Sequence, residues 1–114
     1  MANKCNVPNG WADAITVGQA FHWFANLEAL EEFHRVLKPL GVLALVWNLE
    51  DQDVSFVKEL RETYEEYEGD VPQYRHGVWK EAFQVTDIFS PLQTSFYNHT
   101  TVYLFFHFRV YLQM

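Results

Sequence analysis

One cysteine, Cys5, stands in 114 residues, and it has no Cys-x-x-Cys partner. A disulfide framework within the chain is excluded, and the scarcity fits a reducing compartment. The glycines at 10, 18, 41, 69 and 77 are isolated from one another. Neither a G-x-G-x-x-G cradle nor a P-loop can be assembled from them, and no serine sits in a G-x-S-x-G elbow. Basic residues are few: 8 against 15 acidic ones give a net charge of −7. Such a surface repels phosphates, which argues against sequence-independent binding to nucleic acid. The longest apolar run, Leu40 to Trp47, falls far short of the roughly 20 residues that span a bilayer. The N-terminus lacks the apolar stretch of a signal peptide. A cytoplasmic protein that binds neither membrane nor nucleic acid is expected.

Metal-ligand patterns are also lacking. Glu31-Glu32-Phe33-His34 holds one Glu-x-x-His, a spacing that ligates metal when a second copy faces it. The single copy reads as an ordinary helix face. Glu50-Asp51-Gln52-Asp53 starts like a calcium loop but misses the required glycine and closing glutamate. It reads as a solvated acidic loop capping the next helix. No metal is assigned.

What the chain does have is a hydrophobic fraction of 49%, with 18% aromatic residues. That excludes a disordered chain and suits a single domain over residues 1–114. Asp13 to Gln19 is β-branched and mostly apolar without strict alternation, which predicts a buried strand. Ala20 to Phe24 follows as a loop or short helical turn. Asn26 is a good N-cap, and Leu27, Leu30, Phe33, His34 and Leu37 recur at helical spacing as far as Lys38. Pro39 stops that helix, and Gly41 lets the chain turn. Val42 to Trp47 is apolar at every position, which predicts a central strand covered on both faces. Residues 12–48 thus read as a right-handed βαβ unit.

A second helix is predicted over 54–68, with Val54, Val57, Leu60, Tyr64 and Tyr67 as its apolar stripe. Nine of the fifteen acids fall between Glu50 and Asp70. Residues 69–114 read as an irregular segment: a short helix within Gly77 to Phe83, a strand near Ser95 to Tyr97, and a hairpin turning at Asn98-His99-Thr100.

The densest constellation is Gly18-Gln19-Ala20-Phe21-His22-Trp23-Phe24. It falls at the carboxyl end of a parallel strand, where open α/β sheets bind ligands. An amide, an imidazole and large rings there can line a pocket and exclude water. The same rings can equally pack under the next helix, and the residues alone leave both readings open.

Taken with Arg35-Val36-Leu37-Lys38-Pro39 before an apolar strand, the Ala20-Phe21-His22-Trp23 strand end resembles the class I S-adenosylmethionine-dependent methyltransferases. The branch in question places a His-Trp pair after the fourth strand. The resemblance runs from about Val7 to Phe96. It implies an α/β, partial Rossmann-like fold, with parallel strands and flanking helices, in which the present strands are the fourth and fifth and a sixth lies near Ser95 to Tyr97. It implies S-adenosylmethionine as cofactor, bordered by Gln19, Ala20 and Phe21. His22 becomes the general base or substrate orienter, Trp23 a wall of the substrate pocket, and a small molecule the methyl acceptor. Two departures stand out. Leu40 replaces the first glycine of the family's usual Lys-Pro-Gly-Gly turn. The glycine-rich loop and ribose-binding acid of the amino-terminal cofactor-binding half have no counterpart in these residues. A truncated form, inactive by itself, is therefore expected. The alternative is a non-catalytic interaction module or inactive paralogue, with self-association through an open sheet edge.

Overall fold

Two hydrogen-bonding patterns organise the chain, one parallel and one antiparallel. The computed structural model describes the backbone of residues 4–103 and 106–113, and the side chains of residues 4–98. The chain divides into two compact units: Met1–Val46 with Pro72–Gln93, and Trp47–Val71 with Thr94–Met114.

In the first unit, strand β1 (Ala12–Gly18) leads through a 310 turn (Phe21–Trp23) into helix α1 (Leu27–Val36). Strand β2 (Leu37–Glu50) follows. β1 and β2 are parallel neighbours, with Ala14 opposite Val42 and Gly18 opposite Val46. The strand–helix–parallel strand pattern expected from the sequence is thus present, in a mixed α/β architecture with flanking helices. Asn26 caps α1, its side chain accepting from the Ala29 N–H at 2.8 Å. The helix ends at Val36, two residues before the expected Lys38, because Leu37 already turns extended (ψ 140°). Between Leu37 and Val42 the ladder breaks: Ala12 pairs with Leu37 and Ala14 with Val42. Four residues of β2, Lys38 to Gly41, thus bulge out opposite Asp13 alone. Leu40 stands at the crest of that bulge with φ 66° and its side chain fully exposed.

Ala12, Val36 and Leu37 are buried together, with Val7, Ile15, Leu43 and Phe89 packed against them. This is the sheet face that α1 follows. The other face corrects the expectation of fully covered strands. Ala14, Thr16 and Gly18 are exposed on β1, and Val42 is 58% exposed on β2. Continuous apolarity along β2 signalled a two-sided strand, yet among the described residues its second face is only partly covered. No strand among the described residues pairs with the outer edge of β1.

The same unit holds the segment after Pro72. It consists of 310 turns at Tyr74–His76 and Val78–Lys80, then helix α2 (Glu81–Gln84). The expected helical stretch of Gly77 to Phe83 is found there, with Gly77 at φ 71° joining the two turns.

The second unit takes up the chain at Trp47. Its helix spans Ser55–Glu65, shorter than the expected 54–68. Of the expected stripe, Val57 is buried, while Leu60 and Tyr67 are exposed. Glu50 is held by Arg61 (2.7 Å) and by the Tyr64 hydroxyl (2.6 Å). Burial and this carboxylate push the Tyr64 phenol up to about 12. Asp51 is 1% exposed and accepts from the Asp53 N–H at 3.0 Å. The acidic loop is therefore a folded turn at Asp51, and the helix N-cap is Val54, without a side-chain cap.

Strands β3 (Phe96–Tyr103) and β4 (Phe106–Gln113) form an antiparallel hairpin, and β4 also pairs antiparallel with Trp47 to Glu50 of β2. The expected turn at Asn98-His99-Thr100 is wrong: those residues lie inside β3, whose pairing with β4 continues to Tyr103 opposite Phe106. Eight-residue arms outcompeted the local turn propensity of a lone asparagine. No helix among the described residues is long and apolar enough to cross a membrane.

Candidate functional site

At the end of β1 the backbone leaves ordinary strand geometry. Gln19 takes φ 58°, a left-handed conformation that costs a non-glycine residue about 1 kcal/mol. Its N–H still donates to the Val46 carbonyl at 2.8 Å, so the turn is anchored to β2 while the side chain is exposed. A side chain built on Gly18 would meet nothing within 4 Å, which leaves open space beside the strand end. Strained backbone of this kind gathers where geometry serves a site.

The 310 turn follows directly. Its hydrogen bonds run from the Trp23 N–H to the Ala20 carbonyl and from the Phe24 N–H to the Phe21 carbonyl, both 3.0 Å. Phe21 is completely buried. Its ring lies 5.6 Å from Phe24, 6.2 Å from Phe33, 6.3 Å from Trp79 and 5.6 Å from Phe83. The next two residues turn the other way. His22 is half-buried and Trp23 is 58% exposed, with ring centroids 5.3 Å apart. Burial pulls the His22 pKa below the ordinary histidine value, which favours the neutral imidazole.

The five residues singled out in the sequence are therefore contiguous but not equivalent. Gln19, His22 and Trp23 reach the surface at the carboxyl end of the parallel pair, and Ala20 is half-buried beside them. The Phe21 ring is committed to the aromatic cluster, so its backbone is what it can offer a ligand. The sequence reading missed Tyr74 and Trp79. Trp79 is 6% exposed, stacks on Tyr74 (5.6 Å, 24°), and donates from Nε1 to the Tyr74 carbonyl at 3.1 Å. A tryptophan next to a glycine-led turn was the available signal. Arg35 was read only as part of a motif; in the fold it binds both Glu32 oxygens at 2.7 Å and the Val7 carbonyl at 2.8 Å. Cys5 donates to Glu32 from its N–H (2.8 Å) and from Sγ (3.3 Å). This latch fixes the segment leading into β1. Its i, i+3 Glu–Arg spacing was legible, but its buried setting was not. Among the described residues no group of three or more His, Cys, Asp or Glu side chains could hold a metal ion.

The family model for a methyltransferase domain matches residues 1–45, the stretch that carries β1, the 310 turn, α1 and the first nine residues of β2. An uncharacterised methyltransferase-like protein of Schizosaccharomyces pombe is 42% identical over 71 residues, 62% of this chain and 28% of that protein. An uncharacterised methyltransferase of the same yeast is 51% identical over 57 residues, 50% of this chain and 23% of the relative. One from Mycobacterium tuberculosis is 48% identical over 61 residues, 54% of this chain and 25% of the relative. The matched residues thus span about a quarter of each of these curated relatives. No solved structure matches. By sequence the chain is similar to methyltransferases.

Proposed function

We propose that these residues carry the acceptor side of an S-adenosylmethionine-dependent methyltransferase of the class I type that methylates a small molecule. The observation that carries the reading is the strained strand end at Gln19, followed at once by an outward-facing His22–Trp23 pair. It lies within the stretch matched by the methyltransferase family.

The strand end fits the cofactor in part. Open space beside Gly18, the exposed Gln19 and the half-buried Ala20 leave room there, and Gln19, Ala20 and the Phe21 backbone would border the cofactor. Glycine-loop and ribose-carboxylate contacts, which supply most of the family's cofactor binding, have no counterpart in these 114 residues. When bound, S-adenosylmethionine supplies an electrophilic methyl group on its sulfonium. The protein's part is then to hold the acceptor in line and keep water out. A neutral His22 accepts the proton of an acceptor O–H or N–H as the nucleophile attacks. The Trp23 indole offers an apolar wall for the acceptor.

The test is a chimera that completes this chain with those residues of the 42%-identical Schizosaccharomyces pombe relative that lie outside the match. We expect it to release S-adenosylhomocysteine with a subset of small-molecule acceptors. His22→Ala should then lose on the order of 10²–10⁴-fold in turnover with an unchanged melting temperature. A variant that melts lower and turns over normally would make His22 structural. A second reading, a non-catalytic interaction module, is favoured by the outer edge of β1, which no strand among the described residues pairs. A folded chimera that is inactive on every acceptor, while the 114-residue chain self-associates in sedimentation, would select it.

A further inference from the structure

His22 sits in a turn of only three residues that has no side-chain cap at its start. What the turn's buried residue packs against therefore helps to set its orientation. Its one buried residue is Phe21, immediately before His22. The Phe21 ring is met edge-on by Trp79 (6.3 Å, 82°). Trp79 in turn has little freedom. It is stacked on Tyr74, bonded through Nε1 to the Tyr74 carbonyl, and met edge-on by Phe83 (6.4 Å, 87°). Phe24, Phe33 and Phe83 also touch Phe21, but all three are only partly buried, whereas Trp79 is 6% exposed.

We infer that Trp79 is a positioning residue for His22: held on Tyr74, its indole seats the Phe21 ring and so sets the direction of the turn that presents His22 and Trp23. The inference rests on the reading of His22 as the proton-handling group. Trp79 touches no reacting atom in that scheme. It acts through Phe21, some 58 positions earlier in the chain. Aromatic pairs contribute about 0.5–1.5 kcal/mol beyond the area they bury, enough to bias a short turn between orientations.

The test reads His22 directly and needs no turnover. Histidine ring protons are followed by NMR through a pH titration of the 114-residue chain and its variants. In Trp79→Ala, Phe21 loses its seat and His22 becomes more exposed. Its midpoint should rise towards the ordinary value near 6.5. Trp79→Phe, which retains a ring against Phe21, should restore most of the native His22 midpoint. Tyr74→Leu removes the stack and keeps the carbonyl acceptor, so it should produce a smaller rise. That variant also decides the matter should Trp79→Ala fail to fold. The charged and titratable groups on the neighbouring turns are Tyr74, Arg75, His76 and Lys80, and Lys80 Nζ lies 5.5 Å from the Trp79 ring centroid. Lys80→Gln is therefore run alongside and should leave His22 where it was. An unmoved His22 in a folded Trp79→Ala or Tyr74→Leu overturns the inference. So does a Lys80→Gln shift as large as that of Trp79→Ala. Failure of the methyltransferase reading would show instead in the chimera's turnover, with the His22 midpoints unaffected.

Discussion

Single residues decide how the helix-to-strand passage and the entry to β1 are built. At the bulge, a Cβ on Gly41 would lie 2.8 Å from the Lys38 carbonyl oxygen and 2.9 Å from Leu37 Cδ2, so position 41 accepts only glycine without a shift. Position 40 asks for glycine for a different reason, its positive φ, and holds leucine instead. Leu40→Gly should remove left-handed strain and expose no apolar core. After the entropy glycine adds to the unfolded chain, a net gain of roughly 0.5–1 kcal/mol is expected, a rise of several degrees in thermal melting. A fall in melting temperature would mean that the leucine side chain is held by contacts. The Glu32–Arg35 latch makes a pH prediction. Arg35 lowers the Glu32 pKa from its ordinary 4.5 to about 2, helped by the Cys5 N–H. The unfolded chain takes up this proton first as pH falls. The latch's contribution is therefore whole above about 4.5 and is lost as pH drops through about 2. Urea melts of wild type and Glu32→Gln should converge across that window, and parallel curves would count against the latch.

Among elements, those with a local signal were legible and those decided by partners were not. Asn26 followed by periodic apolar residues announced α1, and the cap is present at 2.8 Å. Asn26→Ala should cost about 1 kcal/mol in chemical denaturation. An unchanged midpoint would mean that α1 is held by packing alone. The β1–β2 pairing followed from a β-branched strand, a helix and a second apolar strand, because such crossovers return parallel. Coverage of the strands did not follow. Ala14, Thr16 and Val42 are apolar or small enough to look buried, but burial depends on what packs above them. The β3–β4 hairpin was expected and its reversal misplaced, since strand length is set by cross-strand pairs rather than by one turn residue. The candidate site was legible as a strand end at Gln19 next to His22 and Trp23 because that is a local pattern. Tyr74 and Trp79 were not, because they reach Phe21 only through the fold.

For the molecule as a whole, the proposed chemistry stands on one strand end and on sequence similarity confined to part of the chain. The cofactor's remaining contacts would come from elements these 114 residues do not contain. Calorimetry on the 114-residue chain should accordingly find S-adenosylmethionine binding no tighter than millimolar, and micromolar binding would point to a complete site elsewhere in the fold. The most direct measurement is amide mapping of the 15N-labelled chain titrated with S-adenosylhomocysteine to several millimolar. The account predicts that the perturbed amides cluster from Gly18 to Trp23, with Val46 opposite Gly18 among them. A spectrum that shows no change there, or changes gathered instead on the helix at Ser55–Glu65, would contradict it.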